Sequence, residues 1–137
     1  MSFSVGKVSV GLWLAAAFAP WQAAWAQATS AAAEQLRWEA VAGAPGDVAR
    51  GQKLFITEAG RDLSCASCHG RPPTSASRHA STGKRIDALA PAFNSARFTD
   101  VAKVDKWFRR NCKDVFAREC TAPEKADLLA YLRSLKP

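Results

Sequence analysis

Cys65, Cys68 and His69 stand together in the run SCASCHG, and their spacing suits one chemistry in particular. Two thiols held in a Cys-x-x-Cys spacing can add to the two vinyl groups of one porphyrin. The imidazole that follows then lies under the iron as its proximal ligand. A thioredoxin-like dithiol and half of a zinc site also use paired cysteines. Neither requires the histidine, and no βαβ pattern or second Cys-x-x-Cys accompanies this pair. The motif therefore implies one covalent haem c, bound through Cys65 and Cys68 with His69 as an iron ligand.

Two further cysteines, Cys112 and Cys120, are left to pair with each other once the first two are committed to thioethers. A loop that short adds roughly 2.6 kcal/mol in the chain-entropy picture. A free thiol or a metal site is the alternative, without further clustered ligands to support the metal.

The sixth iron position is the open question. Cytochromes c usually fill it with a methionine sulfur, but the sole methionine is Met1. His79, a lysine such as Lys84 or Lys103, an asparagine, water or nothing remains. His79 is a strong-field donor, yet it lies ten residues beyond His69 in a loop rich in serine and proline. Asn111 raises a different point. In VAKVDKWFRRNCKDVF it falls on the apolar stripe formed by Val101, Val104, Phe108 and Val115. A carboxamide turned inward costs a few kcal/mol unless it finds a partner there.

The elements that must position these residues read as helices. Residues 31–42 are alanine-rich and end at Gly43; Asp47 caps a second helix running through Ala59 to Gly60, just ahead of the haem motif. Residues 71–98 carry Pro72, Pro73, Ser75, Ser77, Ser81, Gly83 and Pro91 and are expected to be mostly loop. A third helix starts at Thr99 or Asp100. Thr121-Ala122-Pro123-Glu124 is a capping box for the last, whose inner face is Leu128, Leu129, Tyr131, Leu132 and Leu135. No strand pattern is convincing, so the expected class is all-α. A helix ahead of Cys-x-x-Cys-His and another at the C-terminus resemble the small class I cytochromes c, whose terminal helices cross. Gly51 and Phe55, with Tyr131 or Leu132 opposite, are the residues expected at that crossing.

The chain begins differently. Lys7 precedes an apolar run from Val8 to Ala19, followed by Pro20 and the pattern Ala24-Trp25-Ala26. This reads as a secretory signal peptide over residues 1–26, cut after Ala26, leaving one cytochrome c domain over 27–137. An uncleaved anchor would suit the lack of charge between Val8 and Ala33, but Pro20, Gln22 and the Ala-x-Ala pattern fit a cleavage region. The mature chain keeps 18 of the 19 Lys and Arg and all 12 Asp and Glu, a net charge of about +6. Export to the periplasm excludes nucleic acid as a partner and leaves no membrane attachment after cleavage. The basic balance points to an acidic protein surface.

The run from Phe98 to Leu132, FTDVAKVDKWFRRNCKDVFARECTAPEKADLLAYL, together with ASCHG and TGKRIDALAP, closely resembles the high-spin, oxygen-binding cytochromes c known as SHP. In that family the asparagine immediately before the first disulfide cysteine ligates ferric haem iron and leaves on reduction. The resemblance maps that ligand onto Asn111 and the disulfide onto Cys112 and Cys120. It implies a donor cytochrome, diheme or membrane b-type, and O2 or NO as the diatomic ligand of the reduced iron. Two other functions stay open. One is a plain six-coordinate electron carrier with His79 as sixth ligand. The other is a haem enzyme acting on peroxide or NO, with His79, Arg109 or Arg110 as distal groups. Lys84, Arg85 and Arg97 are the residues expected near the propionates.

Overall fold

A computed structural model describes Met1 and residues 27–60 and 62–137. Apart from Met1, the expected signal peptide lies outside the described residues. Five helices and one short hairpin follow: α1 (Ala31–Ala42), α2 (Val48–Ile56), α3 (Cys65–His69), β1 (Ser77–Arg78), β2 (Arg85–Ile86), α4 (Val101–Phe116) and α5 (Ala122–Ser134).

Each long helix begins where a short polar side chain can take up a free N–H. Ser30 accepts from Ala33 N at 3.2 Å, Asp47 from Arg50 N at 2.7 Å, and Asp100 from Lys103 N at 2.9 Å. The Thr121–Glu124 box of α5 closes in both directions, at 3.4 Å and 2.8 Å. At its other end α1 stops on Gly43, whose φ of 69° is the left-handed conformation that glycine adopts without strain.

Two expectations needed adjustment. α2 stops at Ile56 rather than running to Ala59: Thr57 turns extended and caps the helix, its N–H and its hydroxyl both bonding Lys53 O. Ala59 then bridges to Leu63. The loop after the haem motif also contains the β1–β2 hairpin, which pairs Ser77 with Ile86 and Arg78 with Arg85.

The core forms where α2 and α5 cross. Phe55, Leu128, Tyr131 and Leu132 are its buried centre. The Phe55 and Tyr131 rings lie 5.5 Å apart. Asp127, buried on α5, accepts hydrogen bonds from Asp47 N (2.7 Å) and from the Arg50 guanidinium (2.8 and 2.9 Å), so the buried charge is paired. Around this centre pack Leu54, Cys65, Leu89, Phe98, Phe108 and Leu135, which brings α3, the 87–90 loop and α4 to one apolar wall.

Candidate haem site

α3 is a single helical turn stabilised by its own capping box: Ser67 Oγ accepts from Ser64 N at 3.0 Å and Ser64 Oγ from Ser67 N at 3.2 Å. That turn carries Cys65 and Cys68, both half-buried free thiols, and ends on His69. Burial pushes the Cys65 thiol up to about 11. A redox dithiol works the other way, with its attacking cysteine drawn toward the thiolate, so the dithiol reading loses its chemical basis here.

His69 lies beside Phe55, ring centroids 6.5 Å apart. Burial lowers its pKa to about 4, with the positive charges of Arg97 and His79 adding to the shift. The imidazole is therefore neutral at physiological pH, the state a metal ligand requires. Its Nδ1 is buried with no hydrogen-bond partner, one of two such side-chain atoms among the described residues; the other is Trp38 Nε1. A neutral imidazole with a buried, unsatisfied Nδ1, on the same helical turn as two free thiols, fits a haem.

The segment after α3 folds back onto it. Ser77 Oγ donates to Cys68 O at 2.5 Å, and Ala80 N approaches Cys68 Sγ at 3.4 Å. Below it, Pro73 O receives Leu89 N and Ala90 N, at 3.1 and 3.0 Å. Arg97 donates to the carbonyls of Ala88 (2.9 Å) and Asp87 (2.7 Å), so its guanidinium braces this loop. Lys84 and Arg85 are exposed, and Arg85 pairs with Asp87.

His79 belongs to this same wrapping segment. Its Nδ1 faces Ser81 N, Ser81 Oγ and Thr82 N at 3.2 to 3.4 Å.

α4 supplies the other wall. Val104 and Val115 are buried and Phe108 half-buried, as the apolar stripe predicts, and Asn111 is half-buried on that stripe. No hydrogen bond engages its carboxamide among the described residues. Arg109 and Arg110 are exposed, and Arg110 turns toward Asp114 and the face of Trp107, away from the stripe. Cys112 and Cys120 form a disulfide, with S–S 2.04 Å and Cα–Cα 5.6 Å, that ties α4 to the start of α5.

Residues 41–132 match the family described as Domain of unknown function (DUF1924). The chain is 50% identical over 99 residues to the cytochrome c-type protein SHP of Cereibacter sphaeroides, spanning 69% of this chain and 76% of that protein. The structure of oxidised SHP, described as an oxygen binding cytochrome c, superposes with a TM-score of 0.74 at 46% identity, covering 80% of this chain and all of that one. This chain belongs to the SHP-type family of cytochromes c. Oxidised cytochrome c″ of Methylophilus methylotrophus is similar too, with a TM-score of 0.73 at 30% identity over 78% of this chain and 95% of that one. Its sequence is 41% identical over 80 residues, 58% of this chain and 56% of that protein. Membership in the SHP-type family makes this a monohaem c-type cytochrome of class I fold with one covalent haem. Trp38 is a residue that sequence reasoning missed: it sits on α1, outside any motif, against Phe108 of α4 and Lys125 of α5.

Proposed function

We propose that residues 27–137, released from a signal peptide over 1–26, act in the periplasm as a cytochrome that accepts an electron from another cytochrome and then binds O2 or NO. Cys65 and Cys68 carry the thioether links, His69 is the proximal ligand, and Asn111 is the labile ligand of the ferric state. Haem c supplies a redox-active iron that takes a diatomic gas when reduced and one axial position is open. The rest falls to the chain. His69, held neutral by burial, presents a nitrogen lone pair throughout. Asn111 offers a neutral amide oxygen, a hard donor suited to Fe(III) and poor for Fe(II), so reduction releases it. The disulfide holds the backbone at the next residue while the side chain turns. The apolar residues Val104, Phe108 and Val115 keep water out of the place it leaves.

The observation that carries this reading is Asn111, half-buried on the apolar stripe of α4 with no hydrogen bond to its carboxamide among the described residues, whereas His79 turns its Nδ1 to Ser81 and Thr82 of its own loop. Two named properties of relatives agree with it: SHP is described as oxygen binding, and a solution structure of cytochrome c″ concerns haem-ligand detachment. A ligand that breaks at each turnover slows simple shuttling, which weighs against the plain carrier. The exposed Arg109 and Arg110 leave a peroxide- or NO-metabolising enzyme without its distal arginine. Paired absorption spectra test the reading: high-spin ferric protein and five-coordinate ferrous protein with rapid CO uptake support it, and a low-spin ferrous form ends it.

A further inference from the structure

Residues 27–42 lie almost wholly ahead of the 41–132 stretch that matches the family; α1 packs chiefly on α5, yet the segment also touches the first two turns of α4. At its first turn the grip is backbone to backbone: Val101 N donates to Gln27 O and Thr29 N to Thr99 O, each at 3.1 Å. One turn on, the Arg37 guanidinium reaches Asp105 at 2.5 Å while also bonding Glu34. Glu34 is only 1% exposed, so the guanidinium is fixed from behind by a buried carboxylate. A turn further, Trp38 meets Phe108 edge to face, centroids 6.4 Å apart. The indole cannot easily retreat, because the Lys125 ammonium from α5 and the Arg37 guanidinium both lie over the ring, 3.8 and 4.4 Å from its centroid.

Positions 101, 105 and 108 form one stripe of a helix, and Cys112 is its next member. Cys112 is anchored by the disulfide. α4 is thus restrained along one line from its first turn to its third, while Asn111 lies half-buried on the neighbouring line between the buried Val104 and Val115.

We propose that the 27–42 segment is a brace for the ligand-bearing helix, with Arg37 and Trp38 as positioning residues that act on Asn111 through Asp105 and Phe108. Phe108 and Asn111 are three residues apart and share a face, so the backing of Phe108 by Trp38 limits how far Asn111 can withdraw from the iron. The proposal rests on Asn111 as the ferric ligand.

The test compares Arg37→Ala, Trp38→Ala, Trp38→Phe and Gln35→Ala in the full haem-loaded protein. The Gln35 side chain bonds Arg133 of α5 and Glu39 of its own helix, so it controls for loss of α1 packing. Azide binding to the ferric protein reads the ligand. Hydrogen exchange of the α4 amides reads the helix. Arg37→Ala and Trp38→Ala should each quicken azide binding about five- to tenfold, the size expected from losing one well-placed contact, and raise exchange in α4. Trp38→Phe should restore most of both, and Gln35→Ala should lower stability with the azide rate unchanged. If the Arg37 and Trp38 variants lose stability but bind azide at the wild-type rate, while Asn111→Ala binds it faster, the brace is wrong and the ligand reading stands. If Asn111→Ala leaves the azide rate unchanged, the ligand reading fails instead. The brace is then upheld or overturned by α4 exchange alone.

Discussion

The backbone of Gly51 runs so close to Asp127 that a methyl group built on it falls 1.9 Å from the Asp127 carbonyl oxygen and 2.9 Å from the Tyr131 Cβ. Neither neighbour can give way, since both belong to the frame of α5. Gly51→Ala should therefore prise α2 from α5 and cost about 3 kcal/mol or more, read as a fall in the denaturant midpoint. Gly43→Ala is the comparison, because nothing stands within 4 Å of its added carbon and only the positive φ opposes it. That change should cost about 1 kcal/mol. Equal losses at the two sites would mean that the crossing is looser than described.

Replacing Cys65 and Cys68 together by alanine should leave no covalent haem adduct. In the wild type, acid-acetone extraction should leave the haem with the polypeptide, and intact mass should show one haem per chain. Haem freed from the wild type by that extraction would refute the thioether assignment.

Asn111→Ala should keep both fold and haem, as it removes a polar group from an apolar stripe, yet it should shift the ferric spectrum and speed anion binding. His79→Ala should leave the ferric spectrum nearly unchanged, since the Nδ1 of that ring is turned to Ser81 and Thr82 of its own loop. Bis-histidine ligation predicts the opposite pair of results, with a low-spin wild type in both redox states.

Stability should fall in acid partly through Glu124. Hydrogen bonds from Arg118, at 2.6 and 2.7 Å, and from Thr121 N outweigh partial burial and hold its carboxyl at about 2, against an ordinary 4.5. A depressed folded-state pKa contributes stability that is complete above the unfolded value and is lost as the pH falls through the folded one. The wild type should therefore weaken from pH 4.5 down toward pH 2. Glu124→Gln should start lower and lose less over that window, measured as denaturant midpoint against pH. Parallel curves for the two proteins would remove Glu124 from the acid response.

Much of this arrangement was legible in the residues because it is written locally. Cys-x-x-Cys-His needs only neighbours, and Thr121 with Glu124 caps α5 through groups three positions apart. Gly51 and Phe55 were recognisable through the resemblance to class I cytochromes c, whose terminal helices cross ahead of the haem motif. The β1–β2 hairpin was not legible: strands of two residues are too short to show alternation. The end of α2 was missed because Thr57 competes for Lys53 O with both its hydroxyl and its amide, a choice that propensity does not weigh. Trp38 and Arg37 were invisible as site residues since their partners, Phe108 and Asp105, lie about 70 positions on in the chain. Such pairings exist only once the helices have packed.

The disulfide also bears on how the holoprotein is assembled. With haem attached through Cys65 and Cys68 as proposed, the chain needs opposite treatments of its cysteines: Cys112 and Cys120 oxidised, and Cys65 and Cys68 reduced until the vinyl groups arrive. The native ring closes across a separation of 8 residues, whereas pairing Cys112 with Cys68 would close one across 44. Closure entropy rises with loop length, so the correct ring is favoured by roughly 1.5 kcal/mol before any tertiary contact forms. The linear spacing of the cysteines thus keeps the two pairs from crossing before the fold forms, and what remains to be prevented is oxidation within the closely spaced pair Cys65 and Cys68.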